Sequence, residues 1–252
     1  MTLSDNKQAV PFTKRMRQAS KNIHDKSDAL VNLKLGLTLS DETVWSEGIL
    51  TFASIFLYLE EALTRNKDSL LGDLDVEGIR RTQAINKDLE SFYGISWKEK
   101  LAQMHKTEAV KNYICHLEKI ENENPYLLAA YIYHLFMGLM SGGQILDGKR
   151  KLSLRKVDEN AVGEALFKFE KPHTIGSLKK QLRGAMEEMA GHLDEETQEK
   201  LLEESVKVFE LNNTLIHSVK GINEAFWKLS KRLFIVALIV ILISYLITKY
   251  LM

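Results

Sequence analysis

Residues Tyr133 to Gln144 read YHLFMGLMSGGQ, with Gly138, Gly142 and Gly143 inside six positions of a chain that has only three prolines. A glycine in a helix interior costs about 1 kcal/mol relative to alanine, so the stretch gives up roughly 3 kcal/mol of helix propensity. Such a loss needs compensation. Gly138 and Gly142 are four apart and share one helix face. With no side chains there, a flat ligand or another backbone can approach the main chain closely. Tight helix packing of the GxxxG type and a C-terminal cap at Gly142-Gly143 are the structural readings that compete with a ligand.

Outward from this stretch, apolar residues recur at helical spacing through Met16–Leu35, Val44–Leu63, Leu101–Ile120, Pro125–Leu146 and Leu178–Leu229, the last interrupted near Gly191. No period-two strand survives, so the pattern predicts an all-α chain with a single multi-helix domain. Pro125, after Asn122-Glu123-Asn124, suits the first turn of the helix that carries the glycines. Ser40-Asp41-Glu42-Thr43 resembles another helix start, with Ser40 as its cap. Residues 147–177, with Gly148, Gly163, Pro172 and Gly176, read as a long irregular connection, and Phe167 and Phe169 bring an aromatic pair into it. A loop of that kind can cover a site.

At the C-terminus, Leu233 to Ile247 are all uncharged and almost all large and apolar, and Thr248, Lys249, Tyr250, Leu251 and Met252 extend the run. A transmembrane helix needs about 17–25 such residues, so the tail sits at the short end of a membrane span. Lys249 can snorkel to the far interface. Lys228, Lys231 and Arg232 precede the run, which under the positive-inside rule leaves the preceding domain in the cytoplasm. The opening MTLSDNKQAV lacks a basic-then-apolar signal, so the anchor is expected to insert after synthesis. A buried core helix is the competing reading, although such a helix usually keeps a polar stripe. The expected organisation is an N-terminal tail over 1–10, the main helical domain over 11–225, a basic juxtamembrane linker over 226–232 and a transmembrane anchor over 233–252.

Composition excludes several classes. Thirty-four basic residues balance 34 acidic ones, so no charge excess argues for nucleic acid as a partner. Cys115 is the only cysteine, which rules out an intramolecular disulfide, a CxxC pair and a cysteine-rich zinc site. There is no HExxH, no GxxxxGK[ST], no GxGxxG after a strand and no GxSxG elbow. The seven histidines are scattered singly, without the close pair of a protein zinc site. Leu201, Val208, Leu215, Ile222 and Leu229 recur every seven residues before the tail, as a coiled coil would require. Glu204, Leu211, Ser218 and Ala225 at the companion positions are too polar for a sustained zipper.

The stretch Tyr133–Leu146, with Gly138 and then Ser141-Gly142-Gly143-Gln144, resembles the distal-helix signature of heme oxygenases, and Asn124 to Ala130 resembles the start of the same helix. Leu59-Glu60-Glu61 with Arg65-Asn66-Lys67 is similar to a second block of that family. Glu203-Glu204 leading to Phe209 and Asn212 is similar to a third, and His24 falls where the family has its iron ligand. The resemblance covers roughly residues 10–225, and the apolar tail resembles the membrane anchor of animal members.

The resemblance implies an all-α heme oxygenase-like domain. It implies heme b as both substrate and cofactor, O2, and electrons from NADPH through NADPH-cytochrome P450 reductase. The products are biliverdin, iron and carbon monoxide, made by a cytosolic domain tethered to the endoplasmic reticulum membrane. His24 would ligate the iron, and Gly138, Gly142 and Tyr133 would shape the distal pocket beside Gly143. Phe209 and Asn212 would line the pocket, and Arg17, Lys179 and Arg183 would meet the propionates. Asp28, one turn after His24, can orient the imidazole. From the residues alone, His24 with Asp28 reads equally as an exposed i, i+4 pair, and Lys179 with Lys180 and Arg183 as a solvated basic face.

Two positions depart from the family. Leu139 stands where most members have an aspartate that organises proton-delivering waters, and Leu135 stands where a basic residue is expected. His134, on the face of Gly138, is a candidate relay or alternative ligand. A heme sensor or store without catalysis and a tail-anchored helical interaction protein are the other readings of the chain.

Overall fold

A computed structural model describes residues 10–34, 41–154 and 163–251, and among them every regular element is helical. In chain order these are α1 (Phe12–Lys34), α2 (Glu42–Arg65), α3 (Thr82–Tyr93), α4 (Trp97–His105), α5 (Glu108–Glu123), α6 (Leu128–Gly138), α7 (Gln144–Leu154), α8 (Ile175–Gly191), α9 (Glu195–Ser218) and α10 (Ile222–Leu251). Single 3-10 turns at Gly72–Leu74, Gly94–Ser96, Pro125–Leu127 and Ala165–Phe167 join some of them.

The core follows from helix periodicity. Successive turns of α2 bury Ile49, Ala53, Phe56, Leu59 and Leu63, and α5 buries Val110, Tyr113, Leu117 and Ile120. Both stripes have the spacing that puts apolar side chains on one helix face. α6 differs because it is buried on all sides from Leu128 to Tyr133, as expected of a helix that runs through the centre of a bundle. α9 packs along α1, α5 and α6, and Leu201, Val208 and Leu215 are fully buried in this core. The first three members of the seven-residue repeat are therefore the inward face of α9, and the repeat does not continue as one seam because Ile222 begins α10.

Several sequence expectations are revised. α3 has no counterpart in the periodic pattern; only Ile85, Asp88 and Leu89 of its residues are buried, too sparse a stripe to show as a period. The helix read over Leu101–Ile120 is two, broken at Lys106–Thr107. The start of α2 is capped by Asp41, whose Oδ1 accepts from the Thr43 and Val44 amides at 3.0 and 3.3 Å; Ser40 lies outside the described residues. The connection read over 147–177 is shorter, because α7 continues to Leu154 and α8 begins at Ile175.

Buried carboxylates tie the joining segments down. Glu60 accepts the Arg81 and Thr82 amides at the start of α3. Asp88 accepts the Ala165 and Leu166 amides, each at 2.9 Å. Gly163 turns at φ +84, where a Cβ would lie 2.2 Å from the Phe92 ring, and its carbonyl accepts from Trp45 Nε1 at 3.1 Å. The fully buried Arg150 of α7 lies over the Trp45 ring. The turn after the glycine helix is thereby clamped against α2.

Gly221, at φ +83, reverses the chain between α9 and α10. Val219, Ile222 and Ala225 pack on Val44 in a small separate cluster, and residues 226–232 lie within α10. Beyond them Leu233, Phe234, Ile235, Val236, Ile241 and Ile247 are exposed. Taken over the described residues alone, no helix is long and apolar enough to cross a membrane. Leu242, in the middle of the apolar run, is among the side chains not described.

Candidate functional site

α1 is set in place before it reaches His24. Phe12, Met16, Ser20 and Ser27 form its buried face. At its first turn the Glu187 carboxylate of α8 accepts the Phe12 amide at 2.7 Å, the Thr13 amide at 2.9 Å and the Thr13 hydroxyl at 2.5 Å. A carboxylate is suited to this place, where the first amides of a helix have no partner of their own. Arg15 reaches Gln198 and Glu199 of α9. His24 lies at the edge of the buried face, half exposed, with Nδ1 3.5 Å from Asp28 and 3.8 Å from Asp25. A carboxylate on Nδ1 directs Nε2 to act as the donor atom for a metal.

The glycines break the regular winding of the central helix. Between α6 and α7, Leu139–Gly143 form a π turn, a rare widening that inserts an extra residue into the helix. A Cβ placed on Gly138 or on Gly142 would meet no atom within 4 Å. Their lost side chains therefore leave open space and are not consumed by helix–helix packing. Gly143 behaves differently: a Cβ there would lie 3.1 Å from Phe167 and 3.2 Å from Leu139. Its missing side chain makes room for the loop that Gln144 holds by donating to the Phe167 carbonyl at 2.9 Å. Tyr133, Leu135 and Leu139 are buried.

Phe209 of α9 brings the two halves together. Its ring centroid is 5.2 Å from that of His24 and 5.1 Å from that of His134, edge to face in each case. His134 Nε2 is buried and has no hydrogen-bond partner, and Tyr133 flanks its ring at 5.6 Å. Burial, with the nearby His24 charge adding to it, holds the His134 imidazolium pKa down to about 3. His134 is therefore a neutral base at physiological pH.

Asn212, one turn past Phe209, accepts from the Tyr113 hydroxyl at 3.1 Å. Below it Glu204 accepts from Tyr131 at 2.5 Å and pairs with His116 Nε2 at 2.9 Å. Burial works against the Glu204 charge, but the hydrogen bonds from His116 and Tyr131, helped by the charges of His116 and Lys207, outweigh it and hold the carboxyl below the usual glutamate range. No local pattern in the chain signals this triad, because its members come from α5, α6 and α9.

Arg17 is exposed on α1, as is Arg183 on α8, while Lys179 is half-buried. α1 and α8 pack on each other, so the structure places all three cations on adjacent helices. Among the described residues no three His, Cys, Asp or Glu side chains converge on a possible metal ion. A lone imidazole suits a macrocycle that brings its own four nitrogens. An open depression of about 590 Å³ lined by Lys67, Asp68, Ser69, Leu70, Asp73 and Tyr126 contains none of these residues.

Fold and site together define an all-α protein in which imidazoles from two helices pack on one aromatic ring and the central helix continues into a turn free of side chains at Gly138 and Gly142, features suited to a flat macrocycle. Residues 10–218 match the heme oxygenase family model, and the chain belongs to that family. Heme oxygenase 1 of Gallus gallus is 29% identical over 204 residues, which is 78% of this chain and 66% of the chicken protein. The chain thus spans just under two thirds of that relative's length. Heme oxygenase 2 of Chlamydomonas reinhardtii, solved without heme, superposes with a TM-score of 0.75 at 28% identity, covering 83% of this chain and 98% of its own. Heme oxygenase-1 of the cyanobacterium Synechocystis sp. PCC6803, solved in complex with heme, superposes with a TM-score of 0.74 at 22% identity, over 92% of this chain and all of its own; at that identity the likeness speaks for the fold.

Proposed function

We propose that this chain is a heme oxygenase that opens heme b to biliverdin with release of iron and carbon monoxide, using O2 and electrons drawn from NADPH through NADPH-cytochrome P450 reductase. The observation that carries this reading is the open space at Gly138 and Gly142, one and two helical turns beyond His134, whose ring packs with that of His24 on Phe209. The residues fit the group. His24 offers a nitrogen already oriented by Asp28, the glycines offer bare backbone, and Arg17, Lys179 and Arg183 offer cations to two carboxylates. Bound heme supplies the reacting ring and the iron that activates oxygen. The chain binds and orients it, and buried Leu135 and Leu139 with partly buried Phe209 keep bulk water out of the pocket.

Leu139 favours a second reading, a heme sensor or store. A leucine neither accepts nor relays a proton, so general acid assistance on that side, worth roughly 10²–10⁴-fold in rate where present, must come from elsewhere or be missing.

The tail is proposed to anchor the protein in the endoplasmic reticulum membrane with the domain in the cytosol. Support comes from sixteen consecutive uncharged residues, Leu233 to Thr248, whose described large apolar side chains are exposed around the helix. A 16-residue run with its flanks is about the length needed to span a bilayer.

Titration of the full-length protein in detergent with hemin, followed by addition of the reductase and NADPH, tests both readings. One-to-one uptake with conversion to bile pigment is expected of the enzyme, and uptake without conversion would replace it with the sensor. His24→Ala is expected to abolish the histidine-ligated heme spectrum, and an unaltered spectrum would remove His24 from the role of ligand.

A further inference from the structure

We propose that the turn between α3 and α4 is a second membrane contact of this chain, with Ile95 at its tip set into the interfacial layer of a lipid bilayer and Lys98 and Lys100 among the headgroups. The inference rests on the reading of the tail as a membrane anchor and adds to it which end of the domain lies on the bilayer.

The turn has the side chains of an interfacial contact. Gly94 takes a positive φ of +54, and Ile95 after it is fully exposed, at 103%. Single exposed apolar residues are ordinary on a protein surface, but this one is framed by aromatic rings and lysines. Tyr93 and Trp97, both partly buried, stand two positions to either side of it. Lys98 Nζ lies 5.6 Å from the Trp97 ring centre, and Lys100 Nζ lies 4.9 Å from that of Tyr93. Glu99 between the lysines accepts from Gln103 Nε2 at 3.2 Å. Amphipathic rings beside lysine stems that carry their ammonium groups outward are the side chains that settle at the boundary of a bilayer.

Position supplies the second argument. The Tyr93 hydroxyl donates to Ser46 Oγ at 2.9 Å, which ties the turn to the beginning of α2. The base of α10 is tied to the same place, through Val44 packed with Val219 and Ala225 and through Lys228, 3.5 Å from Asp41. Turn and tail therefore meet the domain at one end of α2. α10 runs unbroken from Ile222 to Leu251, so no loop separates the domain from the apolar run. Leu233 follows Lys228 by five positions, about 7.5 Å of helix, and the headgroup layer on each side of a bilayer is about 5–7 Å thick. The start of α2 is thereby held at the level of the headgroups, with Trp227 exposed beside Lys228 in the belt where tryptophan collects. Ile95 is separated from Tyr93 by at most about 7 Å of chain, which keeps the tip within reach of the same layer. One isoleucine buries too little apolar surface to hold the domain on a bilayer by itself, so the contact orients a domain that the tail already tethers.

Depth-dependent quenching tests this on the full-length chain in vesicles of phosphatidylcholine and phosphatidylglycerol. Ile95→Cys in a Cys115→Ser background carries one environment-sensitive fluorophore at the tip, and the parent labelled at Cys115, which is exposed on α5, is the reference. Quenching by lipids with a nitroxide near the headgroup is expected to be several times greater at position 95 than at Cys115, with a blue-shifted emission at position 95 alone. A second measurement needs no label. Trp45 is buried, so Trp227→Phe leaves Trp97 as the tryptophan open to brominated lipids, which should quench it, and a further Ile95→Asp change should remove most of that quenching. Equal quenching at positions 95 and 115, or an unquenched Trp97, in protein that floats with the vesicles would overturn the inference and leave the tail reading standing. A chain that does not float with the vesicles would overturn both.

Discussion

Gly138 and Gly142 separate stability from binding. Neither has an atom within 4 Å of where a Cβ would stand, so an added methyl group meets no clash in the protein itself. Each glycine removed recovers about 1 kcal/mol of helix propensity at most. We therefore expect Gly138→Ala to melt no lower than the parent while its hemin affinity falls at least tenfold, as read by thermal unfolding beside Soret titration; equal affinity would mean that the open face does not contact the ligand. Glu204 makes the complementary case. Its folded pKa lies below the ordinary value of 4.5 because the hydrogen bonds from His116 and Tyr131 outweigh its burial. The stabilisation is complete above the unfolded value and is lost as pH falls through the lower folded one. Urea midpoints between about pH 6 and pH 3 should fall less steeply for Glu204→Gln than for the parent.

At the scale of elements, α1 reaches the site only as well as its start is fixed. Glu187 takes two backbone amides and a hydroxyl from residues 12 and 13, three turns before His24. Hydrogen bonds to a charged group contribute about 1.5–3 kcal/mol each in favourable cases, and one such group serving an otherwise unsatisfied helix start is worth about 2 kcal/mol. Glu187→Ala should lower stability by that order and weaken hemin binding although Glu187 is not among the site residues; Glu187→Gln should recover part of both. Asp41→Ala, which strips the cap from α2, should cost about 1 kcal/mol in chemical denaturation and leave the hemin spectrum unchanged, because α2 contributes no ligand.

For the whole molecule, the decisive question is whether the tail belongs to the core. Val44, Val219, Ile222 and Ala225 hold the base of α10, and Lys228 lies 3.5 Å from Asp41, but the large apolar residues described from Leu233 onward are exposed. Removing residues 233–252 should therefore change the stability of the remaining domain by no more than about 0.5 kcal/mol, the usual range for exposed positions. The truncated protein should lose flotation with liposomes and keep its hemin spectrum. A truncated domain that melts much lower would mean that the tail packs on the domain.

The sequence by itself determined the helical class, the glycine face and the apolar tail, because each is written in spacing along a single segment, as in Gly138 to Gly142 and Leu233 to Thr248; His24 is singled out by family resemblance and not by its own spacing. Only the tertiary structure decided that Phe209 meets both His24 and His134, that Glu187 fixes α1 and Glu60 and Asp88 fix the joining segments, and that Gly143 serves packing where Gly138 and Gly142 stay open. A carboxylate does not announce in sequence which distant amides it will accept, and a glycine does not announce what will approach it. Those outcomes depend on which helix faces meet, and that is settled by the summed burial of the core around α6 and not by any one stretch of chain.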